Sequence, residues 1–66
     1  MKDTFTPEIR KAFLNMLIGN LRDYAHNFWK MGDEDEWERL NKIADAIEEG
    51  TAGETEILEA IEEVAL

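Results

Sequence analysis

Five side chains with recognition chemistry fall in one row of a helical wheel. They are Lys11, Asn15, Arg22, His26 and Trp29, separated by steps of 4, 7, 4 and 3. Arginine offers a planar bidentate fork to a phosphate, lysine a point charge, and tryptophan a flat face for stacking. Such a row suits an anionic, planar small molecule such as a nucleotide, and a symmetric dimer would double its field. The same spacing also describes the solvated shoulder of an amphipathic helix, with Arg22 and Lys11 paired to carboxylates of later helices.

Catalytic chemistry finds little material. The chain has no cysteine and no serine, so no such nucleophile can act with His26, the only histidine. Thr4, Thr6, Thr51 and Thr55 stand where helix caps and termini account for them. No glycine-rich phosphate loop is present, since Gly32, Gly50 and Gly53 mark helix boundaries. Gly19 is the exception. It lies mid-helix, at a cost of about 1 kcal/mol relative to alanine, so it marks either close approach of another backbone or a tolerated weak point. The expectation is a protein that is not an enzyme.

Metal chemistry fares no better. Asp33-Glu34-Asp35-Glu36 suggests a calcium loop, which needs an oxygen ligand at position 5, glycine at 6 and glutamate at 12. Those positions hold Trp37, Glu38 and Ala44. Zinc needs several His or Cys ligands. A di-metal bundle needs Glu-x-x-His, where this chain has Asp23-x-x-His26. No metal and no cofactor are expected, and the acids at 33–36 read as the start of a helix.

Charge separates the chain into two unlike halves. Of 66 residues, 7 are Lys or Arg and 16 are Asp or Glu, a net charge of -9. Through residue 31 five basic residues face three acidic ones, a net of +2; from residue 32 two face thirteen, a net of -11. A generic nucleic-acid coat is excluded, because phosphate binding needs clustered Lys and Arg. The acidic half suits a basic protein groove, including one that normally holds nucleic acid, with Glu48, Glu49, Glu56, Glu59 and Glu63 as the candidate face. The plainer reading of these acids is a solvated outer helix surface.

Three helices must position these groups. Thr6-Pro7-Glu8 caps and starts the first, and Leu14, Leu17, Leu21, Tyr24, Phe28 and Met31 recur at steps of 3, 4, 3, 4 and 3 until Gly32 ends it. Asp33, with Glu36 three residues on, starts a second helix that carries Trp37, Leu40, Ile43, Ala44 and Ile47 to Gly50. A link this short folds the two back as an antiparallel hairpin. Thr51-Ala52-Gly53-Glu54 reads as a second capping box, opening a third helix with Ile57, Leu58, Ile61, Val64 and Leu66 on its apolar face. No strand pattern occurs. The expectation is an all-α chain: an N-terminal extension over 1–6 and one three-helix domain over 7–66.

Size then bears on assembly. A domain this short buries only about 60% of its unfolded surface, and without disulfides or metal a second subunit is the natural support. The apolar arc of the first helix, from Ile9 round to Trp29, spans roughly 200°, about twice what one packed neighbour covers. A helical-bundle homo-oligomer is therefore expected. No secretory leader and no membrane-spanning run stands out, which points to the cytoplasm. The leading functional expectation is a small acidic interaction module that regulates or inhibits a partner protein by binding it. The alternative is a homo-oligomer that binds or sequesters an anionic small molecule along the Lys11–Trp29 edge.

Overall fold

A computed structural model describes residues 6–65. It contains α1 (Pro7–Lys30), α2 (Glu34–Glu49) and α3 (Glu54–Ala65), and no strand among the described residues. Of the expected extension only Thr6 is described. Residues 1–5 lie outside the described residues, as does Leu66, the last apolar position expected of α3.

Local chemistry accounts for each boundary. The Thr6 hydroxyl accepts from the Ile9 backbone N–H at 3.2 Å, and Pro7 occupies the first turn, where its missing N–H costs nothing. At the other end Gly32 adopts φ +84°, a left-handed conformation that costs glycine little. There Asp33 N–H donates to Phe28 C=O at 2.9 Å and Gly32 N–H to Trp29 C=O at 3.1 Å, the paired closure of a Schellman motif. Gly50, at φ +82°, repeats it on α2: Thr51 N–H donates to Ala46 C=O at 2.9 Å and Gly50 N–H to Ile47 C=O at 3.2 Å.

Two helix starts differ from the sequence expectation. Asp33 caps α2, accepting from Glu36 N–H at 3.3 Å, but Glu36 does not reach back. The Asp33 N–H is already committed to Phe28, and the Glu36 carboxylate binds Arg39 instead. The α3 box is displaced by two residues. The Thr51 hydroxyl donates to Ala46 C=O, closing α2 rather than opening α3. Gly53 stands at the cap, and its N–H donates to Glu56 Oε1 at 2.6 Å. Glu56, at the third helical position, thus supplies the carboxylate half of the box.

α1 packs chiefly against α2, and α3 lies along both. Leu17, Leu21 and Ala25 from α1, Leu40, Ala44 and Ile47 from α2, and Ile57 and Ala60 from α3 form the buried core. Leu21 and Leu40 are fully buried, each contributing about 1.5–3 kcal/mol of apolar transfer. Arg10 at the start of α1 pairs with Glu54 at the start of α3, at 3.5 Å. Arg39 near the start of α2 meets Glu63 near the end of α3, at 2.7 Å. α3 therefore runs parallel to α1 and antiparallel to α2, and the bundle goes up, down and up.

The core path on α1 departs from the expected stripe. Beyond Leu21 burial passes to Ala25 and half-buried Phe28, while Tyr24 and Met31 are exposed. A repeat of alternating threes and fours advances 3.5 residues per turn against the helix's 3.6, so it rotates off the face it began on. Leu58 of α3, expected in the core, is also exposed, while Ala60, three residues after buried Ile57, is buried. At Gly19 an added Cβ would meet nothing within 4 Å. Among the described residues, close approach of another part of this chain is not its reason.

Candidate interaction surfaces

The expected row along α1 follows the seam between α1 and α2, and the structure divides its members. Arg22 turns across the seam. Its guanidinium donates to Asp45 at 2.8 Å, Glu48 at 2.9 Å and the Asn41 side-chain carbonyl at 3.1 Å. The hydrogen bond to Asp45 chiefly holds the guanidinium pKa above its ordinary value; burial opposes it, and the hydrogen bond to Glu48 adds to it. Trp29 packs on Trp37 with ring centroids 4.8 Å apart, fastening the end of α1 to the start of α2. His26 is exposed on α1.

Lys11 and Asn15 remain together, at the other end of the seam. With Arg10, Leu14, Ile18 and Ile47 they line an open groove of about 280 Å³, with Glu48 on its rim. Lys11 has no ion-pair partner among the described residues, so of the two cations weighed for internal pairing only Arg22 is so engaged.

The acidic candidates also separate by what they touch. Glu48 is held by Arg22, Glu63 by Arg39, and Glu56 by the Gly53 N–H. Glu49 and Glu59 are exposed. Arg39 stands between two carboxylates on different helices, Glu36 and Glu63, and these hydrogen bonds raise its pKa well above the usual guanidinium value. Its hydrogen bond to Glu36 in turn holds that carboxyl below its ordinary range.

Glu59 and Glu63 belong to a larger feature that the sequence did not reveal. Together with Glu62 they rim a groove of about 450 Å³ whose floor is made by Tyr24 from α1 and Ile43 from α2, with Arg39 at its side. Glu62 and Tyr24 were not candidates for this surface. The i, i+3 spacing of Glu36 and Arg39 was a legible signal for that ion pair. Nothing in the linear order brings Tyr24 to Glu62, which requires α3 to lie along α1.

Among the described residues no group of three or more His, Asp or Glu side chains could hold a metal ion. No helix there is long and apolar enough to cross a membrane. Comparison with protein-family models, with curated proteins and with solved structures finds no match to this chain.

Proposed function

We propose that this chain is a small acidic helical interaction module, self-associating through α1, that regulates or inhibits a partner protein by binding it through the α2–α3 surface. The observation that carries the reading is the groove with an apolar floor, Tyr24 and Ile43, and a rim of Glu59, Glu62 and Glu63. Arg39 neutralises part of the rim through Glu63, while Glu59 and Glu62 have no ion-pair partner among the described residues. A groove of this kind fits a basic partner segment with an aliphatic or aromatic anchor. The apolar floor takes the anchor, and the unpaired carboxylates attract the flanking Lys or Arg and accelerate encounter.

The test is capture of a basic partner surface by the wild type and by the Glu59→Lys/Glu62→Lys variant. A Lys/Arg-rich peptide with one central Leu or Phe is titrated while backbone amide shifts are followed. The reading expects shifts at Tyr24, Ile43 and the end of α3. It also expects affinity at least tenfold lower in the variant and falling with salt. Equal binding by both proteins would overturn it.

A second reading has one specific observation in its favour. Arg10, Lys11 and Asn15 share the 280 Å³ groove, which offers an anionic small molecule the Lys11 ammonium beside Arg10, itself 3.5 Å from Glu54. Arg22, His26 and Trp29 lie outside its lining, so such a ligand would sit at the Lys11 end rather than along the whole edge. Nucleotide-induced shifts confined to residues 10–18 and 47–48, and lost in Lys11→Ala, would favour it.

A further inference from the structure

Two cavities follow one another along the seam between α2 and α3, and half-buried Ile43 lines both. The first is the groove of about 450 Å³ between Tyr24, Ile43 and the carboxylates of α3. The second, of about 170 Å³, is lined by Ile43, Ala46 and Ala52, with Lys42 and Glu56 at its sides. Ala52 stands in the turn before α3, so the seam is an apolar trough along that helix, whose 12 residues rise about 18 Å. Its walls differ in sign. Glu56, Glu59 and Glu63 recur on α3 at steps of 3 and 4, a spacing that keeps them on one side of the helix. Arg39 and Lys42, the two basic residues after residue 31, stand three apart on α2.

We propose that the trough receives an amphipathic helix of a partner protein, with Lys or Arg on the flank facing α3 and Asp or Glu on the flank facing Lys42. This rests on the reading of the first cavity as the partner site, and gives that partner a shape and a charge order. A helix suits the floor. An extended segment would lay its backbone N–H and C=O groups over Ile43, Ala46 and Ala52, and no strand edge among the described residues offers them partners. A helix bonds its own backbone and presents apolar anchors at i, i+3 or i+4, and i+7. Three turns, about 16 Å, span the trough. The floor is also stepped: small Ala46 and Ala52 leave room for a bulky anchor at one end, where Tyr24 and Ile43 fill the other.

Charge fixes the two flanks. Arg39 is held between Glu36 and Glu63, 2.7 Å from the latter, and that pair joins the two walls at one end of the trough. Among the described residues it leaves Glu59 and Glu62 on α3, and Lys42 on α2, without an ion-pair partner. A partner helix with one basic flank and one acidic flank answers both walls. A uniformly basic segment would meet Lys42 with like charge.

Two synthetic peptides of identical composition, with Lys in excess over Glu, test the inference. In one, Leu recurs at helical spacing with Lys on one flank and Glu on the other; in the second the same residues alternate apolar and polar, the pattern of a strand. The helical peptide should bind the wild type more tightly, gain helical circular dichroism on mixing, and shift the amides of Ala46 and Ala52 as well as Tyr24 and Ile43. Lys42→Glu, at an exposed position, should keep the wild-type circular dichroism yet bind the helical peptide about fivefold more weakly. Replacing the peptide's Glu flank by Lys should restore binding in that variant. The sign is diagnostic, because Lys42→Glu makes the trough more acidic and would strengthen capture of a segment held only by positive charge. Unweakened binding by Lys42→Glu would overturn the helical, two-flanked partner and leave the basic-partner reading standing. Equal or tighter binding of the alternating peptide would do the same, as would binding of neither peptide while the Lys/Arg-rich peptide above still binds. Failure of all three peptides would overturn both.

Discussion

The guanidinium of Arg22 on α1 lies 2.8 Å from the carboxylate of Asp45 on α2, and one turn further along the same nitrogen meets Glu48 at 2.9 Å. A side chain that reads from the sequence as a ligand-binding cation is thus the principal polar tie of the hairpin. Its side chain is 39% exposed, so solvent screens each pair, and the tie sets the register of the hairpin more than it stabilises the fold.

Replacing Arg22 with alanine should therefore lower stability by about 1 kcal/mol, the sum of two screened pairs and one hydrogen bond. Thermal or urea unfolding at low and high salt measures this. The difference between wild type and variant should shrink as salt rises, and a loss of several kcal/mol would show that the network is far less screened than its exposure indicates.

The glycines should respond in opposite directions. Gly19→Ala adds a methyl group to open space in mid-helix and should raise stability by about 1 kcal/mol. Gly50→Ala forces a Cβ into φ +82° and should lower stability by about 1 kcal/mol. Denaturant midpoints of the two variants should move to either side of the wild type.

In the core, Leu40→Ala removes a fully buried α2 side chain from the cluster that all three helices share. Such truncations cost about 2–5 kcal/mol, a large part of the stability available to a domain of this size. The variant should be substantially unfolded by circular dichroism at 37 °C. Leu58→Ala, at a 61% exposed position, should retain wild-type helicity in the isolated chain.

Acid should act partly through Glu36. Its hydrogen bond to Arg39 holds the folded carboxyl below its ordinary value of 4.5, so in that range the unfolded chain binds more protons than the folded one. The stability this group contributes is present in full above that value and is lost as pH falls through the depressed folded value. Glu36→Gln should accordingly flatten the fall of stability below about pH 4.5, measured by urea titration at stepped pH.

Most of the local architecture follows from short-range sequence signals. Thr6, Pro7, Gly32, Asp33 and Gly50 define helix ends, because caps and left-handed closures depend on residues within one turn of each other. The hairpin follows from the brevity of its link, and the burial of Leu17, Leu21, Leu40 and Ile47 from helical periodicity. The α3 start lies two residues beyond the Thr51 box, because the closure of α2 engages the Thr51 hydroxyl and leaves Gly53 at the cap.

The candidate surfaces were legible only as lists of side chains. Helical spacing put Arg22 in one row with Lys11, but a wheel does not say which row faces a neighbouring helix. Packing α2 against α1 placed Asp45 and Glu48 within reach of Arg22, and so took it out of the row. In the same way α3, lying parallel to α1, joined Tyr24 and Ile43 to Glu59 and Glu62 in one groove. By itself the sequence determined three helices, their ends and a strongly acidic second half, all properties of neighbouring residues or of composition. Which charges are spent inside the fold and which face outward was decided by tertiary structure, because that depends on distances between residues about twenty or more positions apart in the chain.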